Sequence, residues 1–223
     1  MKLKTDPLVI IFDFDGVIND SAGPGLERII QLASKAGHEI PQDIRARLLK
    51  HWGTHGTKLL KIAFGLDDKS SGTLYREWER VDATNYFPLI PSAKRTLQNL
   101  KSELGLKMGM LTSRNRQNLM DVLNHYGLTE NFDAIQCRDD YAVAKPDPRA
   151  FDYILCLLGA PKDVCVYVGD TLGDLQAAKV AGVRFVGVET GFLKRSDWQA
   201  VGLESENIIP DIGFLSCWIL KHF

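Results

Sequence analysis

Two aspartates lie two positions apart in the stretch IIFDFDGVIND, directly behind an apolar run. Asp13 and Asp15 alternate with Phe12 and Phe14, and Gly16 follows them. At the two-residue period of a strand, both carboxylates lie on the same side of the chain. Like charges this close raise each other's energy, and burial at the end of an apolar strand increases that cost. The arrangement therefore requires a compensating positive charge.

Further polar residues follow later apolar runs of the chain. They are Thr112 and Ser113, then Lys145, then Asp170 and Asp174. Ligands of an open parallel sheet bind beyond the carboxyl ends of its strands. If the apolar runs are parallel strands, these acids, hydroxyls and the lysine meet at one edge. Hard oxygen ligands suit magnesium, so a Mg²⁺ ion at this edge would explain how the two aspartates can lie together.

A magnesium site also indicates phosphate chemistry, because Mg²⁺ commonly binds together with phosphates. Thr112 and the amides at the start of the following helix would form an anion site. Lys145 would supply a fixed positive charge for phosphoryl oxygens. Asp13 is then free to act as a nucleophile, since carboxylates are established nucleophiles in aspartyl-phosphate chemistry.

The elements that position these residues alternate along most of the chain. Short apolar runs predict strands at 8–12, 106–111, 132–137, 164–169 and 184–188. Helical periodicity appears between them, at 91–104, 116–127, 148–159 and 174–182. Because the runs are apolar on both faces, they predict a doubly wound α/β domain with a covered parallel sheet. Gly127, Gly159 and Gly182 follow their helices, as C-terminal caps do.

The alternation stops between about residues 19 and 89, where the patterns are helical. The predicted helices there are 25–37, 41–52, 57–65 and 71–87. A helical block of this size directly after the first strand predicts a separate small cap domain. We expect residues 1–18 and 90–223 to form the core and residues 19–89 to form the cap.

Composition excludes several classes of function. The 223 residues are 45% hydrophobic and 25% charged, with a formal net charge of -1. This balance gives no support for a nucleic-acid or membrane surface. The amino-terminal MKLKTDPLVIIF has lysines before an apolar run, but the run is too short for a signal peptide. We therefore expect a cytoplasmic protein that acts on a small phosphorylated metabolite; the sequence does not indicate its oligomeric state.

The cysteines carry no sign of a metal or redox motif. They form no CxxC pair, which predicts reduced, packed thiols at Cys137, Cys156, Cys165 and Cys217.

Four short motifs occur in a fixed order along the chain: DFDGV (13–17), LTSR (111–114), AKPDP (144–148) and VGDTLGD (168–174). With them the chain resembles the haloacid dehalogenase (HAD) superfamily, in its phosphatase type with a helical cap after the first strand. The resemblance covers essentially the whole chain, and four ordered motifs make it highly specific.

The resemblance implies a role for each acid. Asp13 would be the nucleophile and a magnesium ligand. Asp15 would be the general acid/base and would give its backbone carbonyl to the metal. Asp170 would complete the protein ligands, and Asp174 would support the metal or its waters.

The same resemblance implies a phosphate-binding group. Thr112 would hold the phosphoryl group together with Ser113 and Gly16. Lys145 would neutralise charge between the nucleophile and the phosphate.

The cap is expected to read the leaving group. Its best candidate is the glycine-rich loop HWGTHGTK (51–58), with Thr54 and His55 able to point into the cleft. The other interpretation of this loop is a plain turn between two helices.

The favoured activity is hydrolysis of a small phosphomonoester, as in phosphoglycolate phosphatase, with a sugar-phosphate mutase as the alternative. Mutases of the family typically carry a cap-entry His near the position that Gly25 occupies in this chain. The glycine at this position favours hydrolysis. A dehalogenase would need neither Asp15 nor Asp170. Phosphonate cleavage would need a cap lysine, and nothing marks Lys58 or Lys61. A non-catalytic binding protein would be expected to have lost a motif residue, and none is missing.

Overall fold

Six parallel strands form a single sheet in the computed structural model, which describes residues 8–223. The strand order is β3-β2-β1-β4-β5-β6. The strands are β1 (Val9–Phe12), β2 (Lys107–Leu111), β3 (Ala134–Gln136), β4 (Cys165–Gly169), β5 (Arg184–Val188) and β6 (Ile208–Ile209). This is the order of a doubly wound α/β sheet, so the predicted fold class is confirmed. The predictions for residues 1–7, including the comparison with a signal peptide, lie outside the described residues.

All five predicted strands are present, and each is shorter than or equal to its apolar run. Strand β6 was not predicted, because two residues are too few to give a period. The register aligns the carboxyl ends of the central strands: Phe12 of β1 pairs with Met110 of β2 and with Val168 of β4. The residues directly beyond these strands therefore meet at one edge of the sheet.

The helices flank the sheet, apart from four that follow β1 directly. Those four are α1 (Ala22–Lys35), α2 (Ile44–His51), α3 (Gly56–Phe64) and α4 (Asp68–Asp82). The others are α5 (Ala93–Ser102), α6 (Arg116–Tyr126), α7 (Ala150–Leu158), α8 (Leu172–Ala181), α9 (Arg195–Ala200) and α10 (Leu215–His222). Every predicted helix is present with shifted ends, whereas α9 and α10 were not predicted. The predicted C-caps Gly127, Gly159 and Gly182 have left-handed backbones, which confirms them.

Alternating residues of β1 supply two apolar layers. Ile10 and Phe12 belong to the cluster on one face of the sheet, and Val9 and Ile11 to the cluster on the other. A third cluster lies among α1 to α4 and their flanking residues, where Leu60 is fully buried. Phe192, from the loop after β5, packs against this cluster. The helical segment after β1 therefore has an apolar core of its own.

Two chain segments connect the helical segment to the sheet, and they run side by side. The amide of Asp20 donates to the Pro88 carbonyl at 2.8 Å, and the amide of Ile90 donates to the Ile18 carbonyl at 2.9 Å. Asn19 and Leu89 form an antiparallel bridge between these two bonds. The helical segment thus leaves and re-enters the sheet domain at a single place.

The prediction that all cysteines are packed is wrong for two of them. Cys137 and Cys165 are buried, but Cys156 and Cys217 are exposed. The buried residues of α7 include Ile154 and Leu158, one helical turn apart. Cys156 lies halfway between them and therefore points to the opposite side of the helix. Within residues 8–223, every helix is too short or too polar to cross a membrane.

Candidate active site

The polar residues predicted to converge do meet at the carboxyl edge of the sheet. Backbone bonds continue the sheet pattern past the strand ends: the Asp13 amide donates to the Val168 carbonyl at 2.9 Å, and the Thr112 amide donates to the Gln136 carbonyl at 3.0 Å. These bonds fix the first residue beyond each strand. We call the group that results the strand edge: Asp13, Asp15, Thr112, Lys145, Asp170 and Asp174.

Three buried carboxylates form the centre of the strand edge. Oxygens of Asp13, Asp170 and Asp174 all lie within 4.8 Å of one another. Burial raises the pKa of Asp13 to about 7, with Lys145 opposing and the neighbouring carboxylates adding to the shift. Burial and the carboxylates of Asp174 and Asp13 hold the pKa of Asp170 well above its ordinary range, although Lys145 acts to lower it. The two groups are therefore costly to ionise together without a further cation.

Lys145 is the cation that already lies among these acids. Its Nζ is 3.2 Å from Asp13 Oδ1 and 2.7 Å from Asp174 Oδ1. It also donates to the hydroxyl of Tyr167 at 2.6 Å. Burial would lower the pKa of Lys145, but the two carboxylates raise it above its ordinary value. These contacts favour the charged form of Lys145 and hold it in place.

The carboxylate of Asp174 is fully engaged by the protein. Its Oδ1 accepts from Tyr167 at 2.9 Å and from Lys145, and its Oδ2 accepts from the amide and hydroxyl of Thr171 at 3.0 and 2.6 Å. Burial acts to raise the pKa of Asp174, but Lys145 and these hydrogen bonds bring it below its ordinary value. Sequence reasoning missed Tyr167, whose hydroxyl is the only polar side-chain group of β4 besides a thiol.

Asp170 contrasts with Asp174 in having an unused oxygen. Its Oδ1 is buried and has no hydrogen-bond partner among the described residues. Two glycines make room for this carboxylate, because a Cβ on Gly16 or on Gly191 would collide with it. An orphaned carboxylate oxygen beside Asp13, in a pocket that only glycine allows, is a donor set that fits a hard divalent cation. Gly16 was predicted to bind the phosphate, and no role was predicted for Gly191.

Asp15 lies outside the acid cluster, because Arg114 holds its side chain. The guanidinium donates to both carboxylate oxygens, from Nε and from Nη2, each at 2.7 Å. Ser21 donates to the same carboxylate at 2.6 Å. Burial acts to raise the pKa of Asp15, but Arg114 and these hydrogen bonds bring it below its ordinary value. Arg114 was part of a quoted motif without an assigned role.

The phosphate-binding residues predicted after β2 occupy different environments. Thr112 is buried, and its Oγ1 accepts from the amide of Arg114 at 3.2 Å. Ser113 is exposed but still lines the cavity described next. The helix behind them, α6, is capped by Asn115, whose side chain accepts from the amide of Asn118.

A cavity of about 140 Å³ lies between the strand edge and the helical segment. We call its second side the helical wall: Gly25, Trp52, Gly53, Thr54, Gly56, Leu59, Tyr75, Trp78, Glu79, Asp82 and Phe87. Thr54 therefore reaches the cavity, as expected. His55 is not among the lining residues: it is exposed, and its Nδ1 lies 2.9 Å from the Thr57 hydroxyl.

Glu79 of α4 links the helical wall to the sheet domain. Its carboxylate accepts from Asn115 at 2.8 Å and from Arg138 at 2.9 Å, and its carbonyl accepts from Asn118 at 3.2 Å. Arg138 also donates to the hydroxyl of Tyr75. No local motif marks these residues, because the partners are far apart in the sequence.

Comparisons with known proteins agree with this geometry. A family model described as haloacid dehalogenase-like hydrolase matches residues 10–188. Phosphoglycolate phosphatase of Yersinia pestis is 28% identical to this chain over an alignment of 227 positions. The alignment covers 93% of this chain and 94% of that protein. Phosphoglycolate phosphatase of Pseudomonas putida is 24% identical over 217 residues, covering 93% and 77%. A crystal structure of a hydrolase from Pseudomonas syringae is similar with a TM-score of 0.77 and 25% identity, covering 96% of this chain and 97% of that one.

Proposed function

The chain belongs to the haloacid dehalogenase-like hydrolase family, and from this premise we propose that it is a magnesium-dependent phosphatase of a small phosphomonoester. The reaction passes through an aspartyl-phosphate. One observation carries the proposal: the buried carboxylates of Asp13 and Asp170 meet beside Lys145 at the carboxyl edge of a parallel sheet. The phosphoglycolate phosphatases among the relatives support the same chemistry.

Asp13 is the nucleophile in this proposal. The Phe14 amide donates to Asp13 Oδ1 at 2.8 Å and Lys145 lies 3.2 Å from the same oxygen, so both fix the orientation of the carboxylate. A carboxylate oxygen forms a bond to phosphorus while the bond from phosphorus to the leaving oxygen breaks. Lys145 and Thr112 hold the phosphoryl oxygens, which positions the group for attack.

Asp13, Asp170 and the backbone carbonyl of Asp15 would hold Mg²⁺, which fits the orphaned oxygen of Asp170. When bound, the ion neutralises charge on the carboxylates and the phosphoryl group. Asp174 positions Lys145: its carboxylate accepts hydrogen bonds from Lys145 and Thr171, which keeps the lysine in place.

Asp15 transfers the protons. The ion pair with Arg114 keeps its carboxylate ionised, which is the form that takes a proton from the water attacking the aspartyl-phosphate. The first step needs the protonated form at the leaving oxygen. We therefore propose that Arg114 turns from Asp15 toward the phosphoryl oxygens when substrate binds.

We also propose the division into a core of residues 1–18 and 90–223 and a cap of residues 19–89. Its support is the separate apolar cluster of α1 to α4 and the single place of connection near Asn19 and Leu89. Thr54 would contact the leaving group from the cap. His55 does not line the cavity but lies beside Tyr75, which does, with ring centroids 5.5 Å apart, so its role stays a prediction. The cytoplasmic location also stays a prediction.

Hydrolysis is favoured over mutase action by the surroundings of Gly25. A Cβ built on Gly25 would already contact Trp52 at 3.5 Å and Phe87 at 3.9 Å. These are ordinary van der Waals distances, so both rings lie close to Gly25. The chain thus has a glycine, packed between Trp52 and Phe87, where mutases of the family typically carry the cap-entry His.

Acid-quench labelling tests the proposal. The protein is incubated with Mg²⁺ and p-nitrophenyl phosphate, quenched in acid during turnover, digested and analysed by mass spectrometry. We expect p-nitrophenol release that depends on Mg²⁺ and a phosphorylated peptide modified on Asp13. A phosphate on serine or histidine, or full activity after the metal is stripped with EDTA, would show that the proposal is wrong.

A further inference from the structure

We propose that the leaving group of the substrate is an uncharged hydroxylated alcohol, such as a sugar or polyol, and not a carboxylate-bearing alcohol such as glycolate. This inference rests on the proposed phosphatase function and concerns the part of the cavity that faces the leaving group. The inferred substrate therefore differs from phosphoglycolate, after which the relatives of this chain are named.

The helical wall offers an aromatic surface to the leaving group. Four rings line it, from Trp52, Tyr75, Trp78 and Phe87. The rings support one another: the Trp52 and Trp78 centroids are 6.3 Å apart, and those of Tyr75 and Trp78 are 5.9 Å apart. An aromatic face carries partial negative charge, so it attracts C–H groups and disfavours a carboxylate. A sugar or polyol presents both C–H groups and hydroxyls.

No cation of the cavity is available to a second anionic group. Among the lining residues within 8–223, Lys145 and Arg114 are the Lys and Arg side chains. Lys145 lies between Asp13 and Asp174 on the phosphoryl side. The Arg114 guanidinium donates to both carboxylate oxygens of Asp15. If it turns away from Asp15, it binds the phosphoryl oxygens in the proposed mechanism. A carboxylate on the leaving group would therefore be buried without a cationic partner.

The acids of the helical wall add to this discrimination. Asp82 forms an ion pair with Arg28, and Arg28 in turn lies over the Phe87 ring at 3.7 Å from its centroid. Glu79 forms an ion pair with Arg138. Arg28 and Arg138 are therefore already paired with a carboxylate before a ligand binds. The carboxylate oxygens of Glu79 and Asp82 can accept hydrogen bonds from hydroxyl groups, whereas a carboxylate on the leaving group cannot donate to them.

Matched pairs of substrates test the inference on the intact chain with Mg²⁺. Glycerol 3-phosphate is compared with 3-phosphoglycerate, and 2-hydroxyethyl phosphate with 2-phosphoglycolate, because each pair differs mainly in one carboxylate. We expect kcat/KM to favour the uncharged member of each pair by about tenfold or more. Equal or faster turnover of the carboxylate members would overturn the inference and leave the phosphatase proposal standing. Failure to hydrolyse all four compounds and p-nitrophenyl phosphate would overturn both.

The variant Asp82→Asn tests the electrostatic basis. It leaves Arg28 without its partner, so the preference should shift toward the carboxylate members by about threefold or more. Asp43→Asn is the matched control, since Asp43 pairs with Arg47 on the exposed surface of α2 and does not line the cavity. A thermal melt confirms that each variant is folded. An unchanged preference in folded Asp82→Asn would overturn the role of charge pairing, and the substrate pairs with the unaltered protein test the inference independently of any variant.

Discussion

The two sides of the cavity are built in opposite ways. At the strand edge, Asp13 and Thr112 directly follow strand ends, and a backbone bond that continues the sheet fixes each of them. On the helical wall the side chains come from helices and loops that side-chain bonds hold in place, with Glu79 at the centre. In the proposed mechanism the strand edge carries the chemistry, and we expect the helical wall to vary without loss of the reaction. Changes at the strand edge should cost far more than changes on the wall.

The largest expected effect is that of Asp13→Asn. The amide is nearly isosteric but cannot attack phosphorus, so kcat should fall by about 10⁴-fold or more. Because burial raises the pKa of Asp13 to about 7, removing its charge should not destabilise the fold. Turnover of p-nitrophenyl phosphate and a urea titration measure the two effects. Asp121→Asn on α6 serves as the control, and substantial activity in Asp13→Asn would remove the contrast between the two sides.

The second largest effect is expected for Lys145→Met, which should lower both the rate of hydrolysis and the stability of the fold. It removes the cation between Asp13 and Asp174, leaving buried carboxylates without their partner. Breaking such a pair costs about 3–5 kcal/mol, and loss of phosphoryl stabilisation should lower kcat by about 10²- to 10³-fold. Urea unfolding in EDTA gives the first value and steady-state kinetics the second. Unchanged stability would mean that the acids of the strand edge do not depend on Lys145.

The strand edge should also respond to pH when metal is removed. The pKa of Asp13 rises from 3.8 to about 7 on folding, so protonation favours the folded protein. This contribution is complete below the ordinary value and is lost as pH rises toward 7. In EDTA the free energy of unfolding should fall over this range, and saturating Mg²⁺ should reduce the fall, because a bound cation favours the ionised form. Urea titrations at several pH values test this prediction. An equal fall in the free energy of unfolding with pH, with and without Mg²⁺, would contradict it.

The difference between the two sides also explains what could be predicted from the sequence. The six strand-edge residues follow recognisable apolar runs, and parallel strands bring their carboxyl ends together by geometry alone. Arg114 escaped assignment because its partner Asp15 is 99 positions away. The same reason hid the contacts of Glu79, and the space around Asp170 depends on the packing of Gly191. Local pattern thus predicts position at a strand end, but not contacts that tertiary packing creates.

Glu79→Gln should have a moderate effect, confined to the helical wall. The amide keeps an acceptor oxygen but loses the charge that attracts Arg138. A partly exposed pair of this kind contributes about 0.5–1 kcal/mol, so we expect KM to rise about two- to fivefold with kcat almost unchanged. Glu77→Gln is the matched control, because it pairs with Arg80 on the exposed side of the same helix. A large loss of kcat would place Glu79 with the chemistry and weaken the division between the two sides.

The smallest effect is expected for His55→Ala, although the glycine-rich loop first suggested this residue for substrate recognition. His55 is exposed, does not line the cavity and pairs with the Thr57 hydroxyl next to it, while neighbouring Thr54 does line it. Surface substitutions of this kind change stability by about 0.5 kcal/mol or less, so kcat/KM should stay within about twofold. Thr54→Ala, measured in parallel, should raise KM more than His55→Ala does. If His55→Ala has the larger effect, the loop must move on substrate binding and bring the imidazole into the cavity.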